Sequence, residues 1–384
     1  MPKKQSSLNF FMKKILLSLL FWALPCFAFA KLQDLPIVSG KIFYQVQTDR
    51  IINSDENYAR KSNGFLYVEP HISFNITDNW SIKNQLRFQP NSTLTTRDAK
   101  NPERYRTFLS NDRKVSLKDN GLLVEEIKIQ YENEDMRLSL GKFDPTFGTA
   151  HRKEKRIGVF TSQFTEDYNL REKMGINVVA LLENAQLSVS SFFNDNTNLS
   201  DSAIDKRGVD GKSRGLAGGT KSFSSYSVNL EGDNLLAFKD WFYYFGYRSL
   251  EVKNSFVNNL YRDREQAVAL SSEYKHKLGK KTSLIPFAEA VYVKNSSGIK
   301  NRNSAYLTTA VIGQYSSWNA SGSYVFRNIN NKQIHNNKTD RQLQFSIGYK
   351  FDNNIALDVS RAQINENSQR VVLVGANLTY LQEF

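Results

Sequence analysis

Five basic residues crowd into six positions of this chain, His151, Arg152, Lys153, Lys155 and Arg156, with only Glu154 between them. Side chains of this kind attract phosphates, carboxylates or a phosphate-bearing surface. Glu166 and Asp167 follow in the same polar connection and temper the positive field. Two readings stand side by side. Held where solutes pass, the cluster favours anions, because charged rings set what enters a passage. Solvated on an outer connection, it neutralises surface phosphates instead. Catalytic chemistry has less support. The four histidines, His71, His151, His276 and His335, are scattered, and none has a Ser or acid beside it in a recognisable nucleophile–base motif. His-x-x-x-His metal spacing and glycine-rich phosphate loops are absent. Neither an enzyme nor a cofactor or metal site is expected.

The N-terminus addresses the chain outward. Lys3, Lys4, Lys13 and Lys14 precede an apolar run from Ile15 to Leu24, and Ala28-Phe29-Ala30 offers a small-x-small cleavage site. Residues 1–30 have the layout of a signal peptide, with an apolar core too short to span a bilayer. Pro25 directly before Cys26 is a poor fit to a lipoprotein signal. Cleavage after Ala30 removes the only cysteine, so no disulfide is expected in the mature chain. The formal net charge of +13 suits anionic partners. Export argues against nucleic acid and for lipopolysaccharide and small anionic solutes.

Stepping along the chain, short segments alternate apolar with polar residues, the mark of strands with one face in each environment. They read as 41–48, 66–76, 80–90, 122–131, 136–143, 173–181, 185–193, 222–231, 241–250, 266–275, 282–293, 304–315, 318–327, 341–351, 355–362 and 371–384. That makes sixteen strands, joined by seven short turns and eight longer loops, those after the third, fifth and seventh strands being the longest. An even number returns both chain ends to one side. Trp80, Trp241 and Trp318 each follow a short turn in the apolar phase, and Tyr131, Tyr315, Phe351 and Phe384 sit at matching ends. Rings at one level form a girdle at a membrane boundary. The fold expected is all-β: a sixteen-stranded antiparallel transmembrane barrel with short periplasmic turns and long extracellular loops, spanning residues 31–384. Its interior phase carries Lys83, Arg87, Lys128, Arg137, Arg248, Arg327 and Lys350 against Glu69, Glu126, Glu289 and Asp358.

Two stretches carry a family resemblance. Val371–Phe384, greasy on one face and ending in Phe, resembles the closing strand of a bacterial outer-membrane barrel, with Gln382 where an aromatic residue is usual. Leu138–Gly148 contains Gly141, Lys142, Phe143, Asp144, Pro145, Phe147 and Gly148, and is similar to the strand-to-loop passage of Gram-negative porins of the phosphate- and carbohydrate-porin-like group. Phe164–Tyr168 and Glu172–Gly175 look like the return of their third loop to the next strand. The resemblance implies that residues 144–172 fold into the barrel as a constriction loop, that small hydrophilic solutes diffuse through passively, and that three copies associate. It also implies that the strand ending in Phe384 engages the barrel-assembly machinery in the outer membrane. Strict alternation puts Lys142 in the lipid phase, so it is expected at the rim or turned inward by a bulge. A structural or adhesive barrel without an open channel has the same strands and stays open as the alternative.

Overall fold

The computed structural model describes residues 37–55, 62–90, 120–152, 159, 162–194, 217–218, 220, 222–234, 238–253, 256–257 and 260–384. One closed antiparallel barrel of sixteen strands takes up most of them. In chain order the strands are β1 (Val38–Ser54), β2 (Ser62–Asn75), β3 (Trp80–Pro90), β4 (Asn120–Glu132), β5 (Met136–Phe143), β6 (Lys173–Leu182), β7 (Ala185–Asn194) and β8 (Ser225–Gly232). They continue as β9 (Trp241–Leu250), β10 (Glu265–Tyr274), β11 (Thr282–Lys294), β12 (Arg302–Tyr315), β13 (Trp318–Asn331), β14 (Asn336–Lys350), β15 (Ile355–Glu366) and β16 (Gln369–Glu383). A single helical turn, α1 (Ser162–Thr165), lies in the β5–β6 connection. The signal-peptide region, residues 1–30, lies outside the described residues.

Each strand pairs with its chain neighbour, and β16 returns to β1. Their register runs from Lys41 opposite Glu383 to Ser54 opposite Val371, with one shift between Ile51 and Asn53. Gly40 and Phe384 exchange both backbone hydrogen bonds, at 2.9 and 3.0 Å. Closure leaves no open sheet edge, which hydrocarbon would penalise heavily for lack of partners. Gln382, the odd residue of the closing strand, is exposed opposite Ile42 near the chain end.

Side-chain alternation sorts the two faces. Val46, Phe74, Ile129, Leu140, Val189, Phe245, Leu270, Val311, Phe345, Ile347 and Leu378 are exposed on the outside. An apolar surface this continuous is unusual on a water-facing barrel and suits lipid contact. At the short-turn end Trp80 packs on Tyr131 with ring centroids 5.1 Å apart, Trp241 on Tyr274 at 5.9 Å and Trp318 on Tyr349 at 4.8 Å. Those cross-strand pairs are the aromatic girdle at one level.

The other end differs from expectation in one respect. Strands β13–β16 extend well past the alternating core, and the connections β13–β14 and β15–β16 shrink to tight turns. In the latter, Asn367 and Ser368 both take positive φ, 51° and 66°, the geometry of a two-residue hairpin turn. The sequence here, such as Asn328–Asn331 and Asn336–Thr339, is polar on both faces. Ladder hydrogen bonds continue above the lipid where hydrophobic alternation has stopped, so pattern reading ends the strands too early.

Candidate functional site: the loop-crossed lumen

The described residues of the connection from Asp144 to Glu172, 144–152, 159 and 162–172, include several that pack against inward side chains of the barrel. Pro145 has no N–H to continue the β5 ladder, and the Asp144 carboxylate accepts the Glu172 N–H at 2.6 Å, tying the two ends of the connection together. Burial pushes the Asp144 carboxyl up to about 6. Gly148 then turns the chain with φ +77°, and a Cβ there would lie 2.9 Å from the Tyr168 ring. The turn delivers three groups to the wall. Phe147, fully buried, sits under the Arg248 guanidinium at 4.5 Å. The Gly148 N–H donates to the Tyr244 hydroxyl at 2.8 Å, and that hydroxyl donates to Asn229 Oδ1 at 2.6 Å. Asn229 donates its amide to the Thr146 carbonyl at 2.7 Å.

Glu289 of β11 is the principal anchor. Its carboxylate, 1% exposed, accepts the backbone N–H of Thr149 and that of Ala150 at 3.1 Å, the Thr149 hydroxyl at 2.9 Å and the Tyr168 hydroxyl at 2.7 Å. Four donors satisfy a buried carboxylate that would otherwise be costly. His151 and Arg152 come next. Burial, with Arg152 and Arg171 nearby, lowers the His151 pKa to about 3, and the Arg152 guanidinium reaches Glu231 of β8 at 2.6 Å.

The return leg touches the opposite side. Val159 N–H donates to Ser360 of β15 at 3.2 Å. Phe164, in α1, is fully buried among Ile51, Val325, Ala362, Ile364 and Leu373, which come from β1, β13, β15 and β16. Arg327 stacks over its ring at 4.4 Å and pairs with Asp167 at 2.9 Å, Asp340 at 2.7 Å and Glu366 at 2.6 Å. Tyr168 and Tyr306 then meet edge to face at 5.0 Å. The connection is therefore held against β8–β13 on one leg and against β13–β16 and β1 on the other.

The wall from β2 to β5 carries a network of partly buried charges, and the Asp144 N–H donates to Glu126 there at 3.1 Å. Glu69 accepts from Tyr67 at 2.6 Å, His71 at 2.8 Å and Gln85 at 2.9 Å, and pairs with Arg87 at 3.2 Å. Arg87 also pairs with Glu125. Lys128 pairs with Glu126 and Arg137 with Glu132, each at 2.7 Å. Lys83 shares this face, half-buried, and Lys350 is exposed at the short-turn end of β14. Asp358, half-exposed on β15, stands beside Gly348.

Three placements sharpen the sequence reading. Of the two positions expected for Lys142, rim or turned inward, it takes the inward one: it is fully buried, 3.1 Å from Glu172. The pairing register runs through it without a shift, and the irregularity is at Gly141, whose φ of +136° only glycine adopts readily. Arg248 and Arg327 are inward as expected, yet 3% and 1% exposed and committed to Glu265 and to three acids, so they hold the loop in place. Glu125 lies inside with Glu126, because β4 slips register between Gln85 and Leu86 of β3. Strict alternation from Lys128 sends Glu125 outward. The clue is a parity change: Leu122 and Val124 are the outward residues before the bulge, Ile127 and Ile129 after it. Lys153, Lys155 and Arg156 lie outside the described residues.

A family model described as "Protein of unknown function, DUF481" matches residues 240–351, the span from β9 to β14. No curated protein matches the chain. Among solved structures, the outer membrane channel DcaP of Acinetobacter baumannii is similar with a TM-score of 0.57 and 12% identity, over 90% of this chain and 96% of that one. OprB of Pseudomonas putida gives 0.59 and 10%, over 90% and 94%. The outer membrane protein OpdK from Pseudomonas aeruginosa gives 0.51 and 10%, over 90% and 99%. Sixteen antiparallel strands, closed end to end and greasy outside, give this chain the fold of porin-like outer-membrane barrels.

Proposed function

We infer that the protein is a passive diffusion channel of the outer membrane for small hydrophilic solutes. The observation that carries this reading is the division of the lumen: the described residues of the 144–172 connection pack on the inner wall from β8 round to β16 and β1, while β2–β4 keep a charged wall only partly exposed. A loop at that position narrows the passage without needing an energy source or a cofactor, and charged groups beside it filter by size and charge. Export on residues 1–30, folding by the barrel-assembly machinery through the strand ending in Phe384, lipopolysaccharide at the outer rim and association into trimers all fit this role. So does kinship with the phosphate- and carbohydrate-porin-like group, on the motif Gly141–Gly148.

Anion preference rests on fewer residues than the raw charge suggests. Arg87, Lys128, Arg137, Arg152, Arg248 and Arg327 each face a carboxylate, so the selective charge would come from Lys153, Lys155 and Arg156 of the connection, with Lys83 and Lys350 of the wall. Glu166, 2.5 Å from Arg171, and Asp167 add no free negative charge beside them. Planar-bilayer recordings across a KCl gradient test both levels. Discrete open-channel steps with a chloride-side reversal potential are expected, shifting toward zero when Lys153, Lys155 and Arg156 become Ala. A cation-side potential overturns the anion preference. Absence of steps favours the sealed structural or adhesive barrel, which the apolar packing of the loop on both walls would also allow.

A further inference from the structure

At the long-loop end of the inner wall, three strands present one patch of donors. Cross-strand pairing sets Arg302, Asn331 and Asn336 side by side on β12, β13 and β14. The next inward row is Ser304, Ile329 and Lys338, and the one below it Tyr306, Arg327 and Asp340. Arg302, Asn331, Asn336, Lys338, Asp340 and Asn367 line a small, partly enclosed recess there.

Arg302 is 2% exposed, yet its Nε and Nη1 have no hydrogen-bond partner among the described residues, and it makes no ion pair among them. The Ser304 hydroxyl one row below is equally buried and equally unpartnered. Arg262, on the β9–β10 connection, is 6% exposed, and among the described residues its side chain donates to the Ser297 carbonyl alone, at 2.8 Å. Burial and the neighbouring Arg302 charge both lower its pKa. Two guanidinium groups near enough to repel, with no carboxylate partner among the described residues, are held at a cost that a bound anion would remove. Lys338 adds a third cation with no carboxylate partner among the described residues.

The acids nearby are already engaged. Asp340 and Glu366 turn oxygens to Arg327, and Asp340 accepts the Asn367 N–H at 2.8 Å. Asp167 pairs with the same guanidinium. Four cations, Arg262, Arg302, Arg327 and Lys338, thus face three carboxylates, and the surplus positive charge lies at the Arg302–Lys338 end. We propose that this recess binds a small oxyanion, with Arg302 as its bidentate donor, Lys338 as a second charge and Arg262 supporting Arg302 from the connection above. Planar guanidinium forks match phosphate and carboxylate geometry, and such charge-assisted bonds are the strong ones. The site is separate from the basic cluster at 151–156, and its occupancy can be measured whether or not the barrel conducts.

Equilibrium dialysis of the detergent-solubilised, folded protein against radiolabelled inorganic phosphate at low ionic strength tests it. Saturable binding near one per chain is expected. Arg302→Gln should weaken it by about tenfold or more, Lys338→Gln by less, and Lys281→Gln, exposed in the short β10–β11 turn at the other end of the barrel, not at all. Heat-modifiable electrophoretic mobility verifies that each variant is folded, and Arg302→Lys, which keeps the charge but not the fork, should recover part of the affinity. Competition by acetate as well as unlabelled phosphate identifies a general oxyanion site; competition by phosphate alone narrows it to tetrahedral anions. Binding that is unsaturable, that chloride displaces as well as phosphate does, or that Arg302→Gln leaves unchanged overturns the proposal.

Discussion

On β9–β13 the inward residues include Tyr244, Arg248, Glu289, Val291, Tyr306 and Arg327, and the loop covers nearly all of them. On β2–β5 they are Glu69, His71, Lys83, Arg87, Lys128 and Arg137, and His71 and Arg137 remain 32% and 34% exposed. Charges occur on both walls, but their roles differ with their solvent. Arg327 and Glu289 are sealed from water, where an unpaired charge is costly and a well-partnered one is rigid. Lys128 and Arg137 stand against water, where an ion pair contributes little to stability but still shapes the field that a solute meets. One wall fixes the loop and the other faces the passage.

Removing a cation from each wall should separate them most clearly. Arg327→Met leaves Asp167, Asp340 and Glu366 without their shared counter-ion, and should cost about 3–5 kcal/mol, read from the urea midpoint of the barrel in lipid vesicles. Protease sensitivity of the 144–172 connection should rise with it. Unchanged stability would mean that the Arg327 cluster is not what holds the return leg.

Gly148→Ala should cost roughly 1–3 kcal/mol through its left-handed φ and the clash with Tyr168. Single-channel conductance then reports whether the passage widens as the first leg lifts off. A variant with native stability and native conductance would show that the turn at Gly148 is not needed to seat the loop.

The pH dependence of the loop has a definite sign at His151. Its folded pKa is depressed to about 3, so the neutral form is the one that fits. The stability this contributes is fully present above the unfolded value near 6.5 and is lost as pH falls through that value toward 3. Proteolysis of the connection by an acid-active protease should accelerate as pH is lowered from 7 to 4, and His151→Gln should flatten that profile. A profile identical in the variant would assign the acid sensitivity to groups other than His151. Asp144 acts in the opposite sense, since its raised pKa disfavours the fold as pH rises through about 6.

The smallest effect belongs to the wet wall. Arg137→Gln should change stability by no more than about 1 kcal/mol, while moving the reversal potential in a KCl gradient toward the cation side. A stability loss as large as that of Arg327→Met would erase the distinction between the two walls.

Much of this was legible in the chain. Sixteen alternating segments, three tryptophans just after short turns and a terminal strand ending in Phe384 determined the barrel, because lipid outside and water inside impose period two on every strand. The strand ends at Asn328–Asn331 and Asn336–Thr339 were not legible, since a ladder in water needs no apolar face. The docking wall left a trace that alternation alone does not use. On β11 the inward set Ile285, Phe287, Val291 and Val293 is apolar like the outward one, which is what a strand covered on both faces requires. What only the tertiary structure decided is which charges are free. Arg248 and Arg327 read as basic residues of a passage, and Lys142 as a residue at the rim or turned inward by a bulge; each is consumed by an acid elsewhere in the chain, Glu265, Asp340 with Glu366, and Glu172. Charge neutralisation depends on contacts within a few ångströms, and composition carries no distances. The basic residues of 151–156, the densest cluster in the chain, begin with His151 held neutral and Arg152 bound to Glu231, whereas Arg302 and Arg262, two arginines among many in the sequence, are left buried without a carboxylate partner among the described residues.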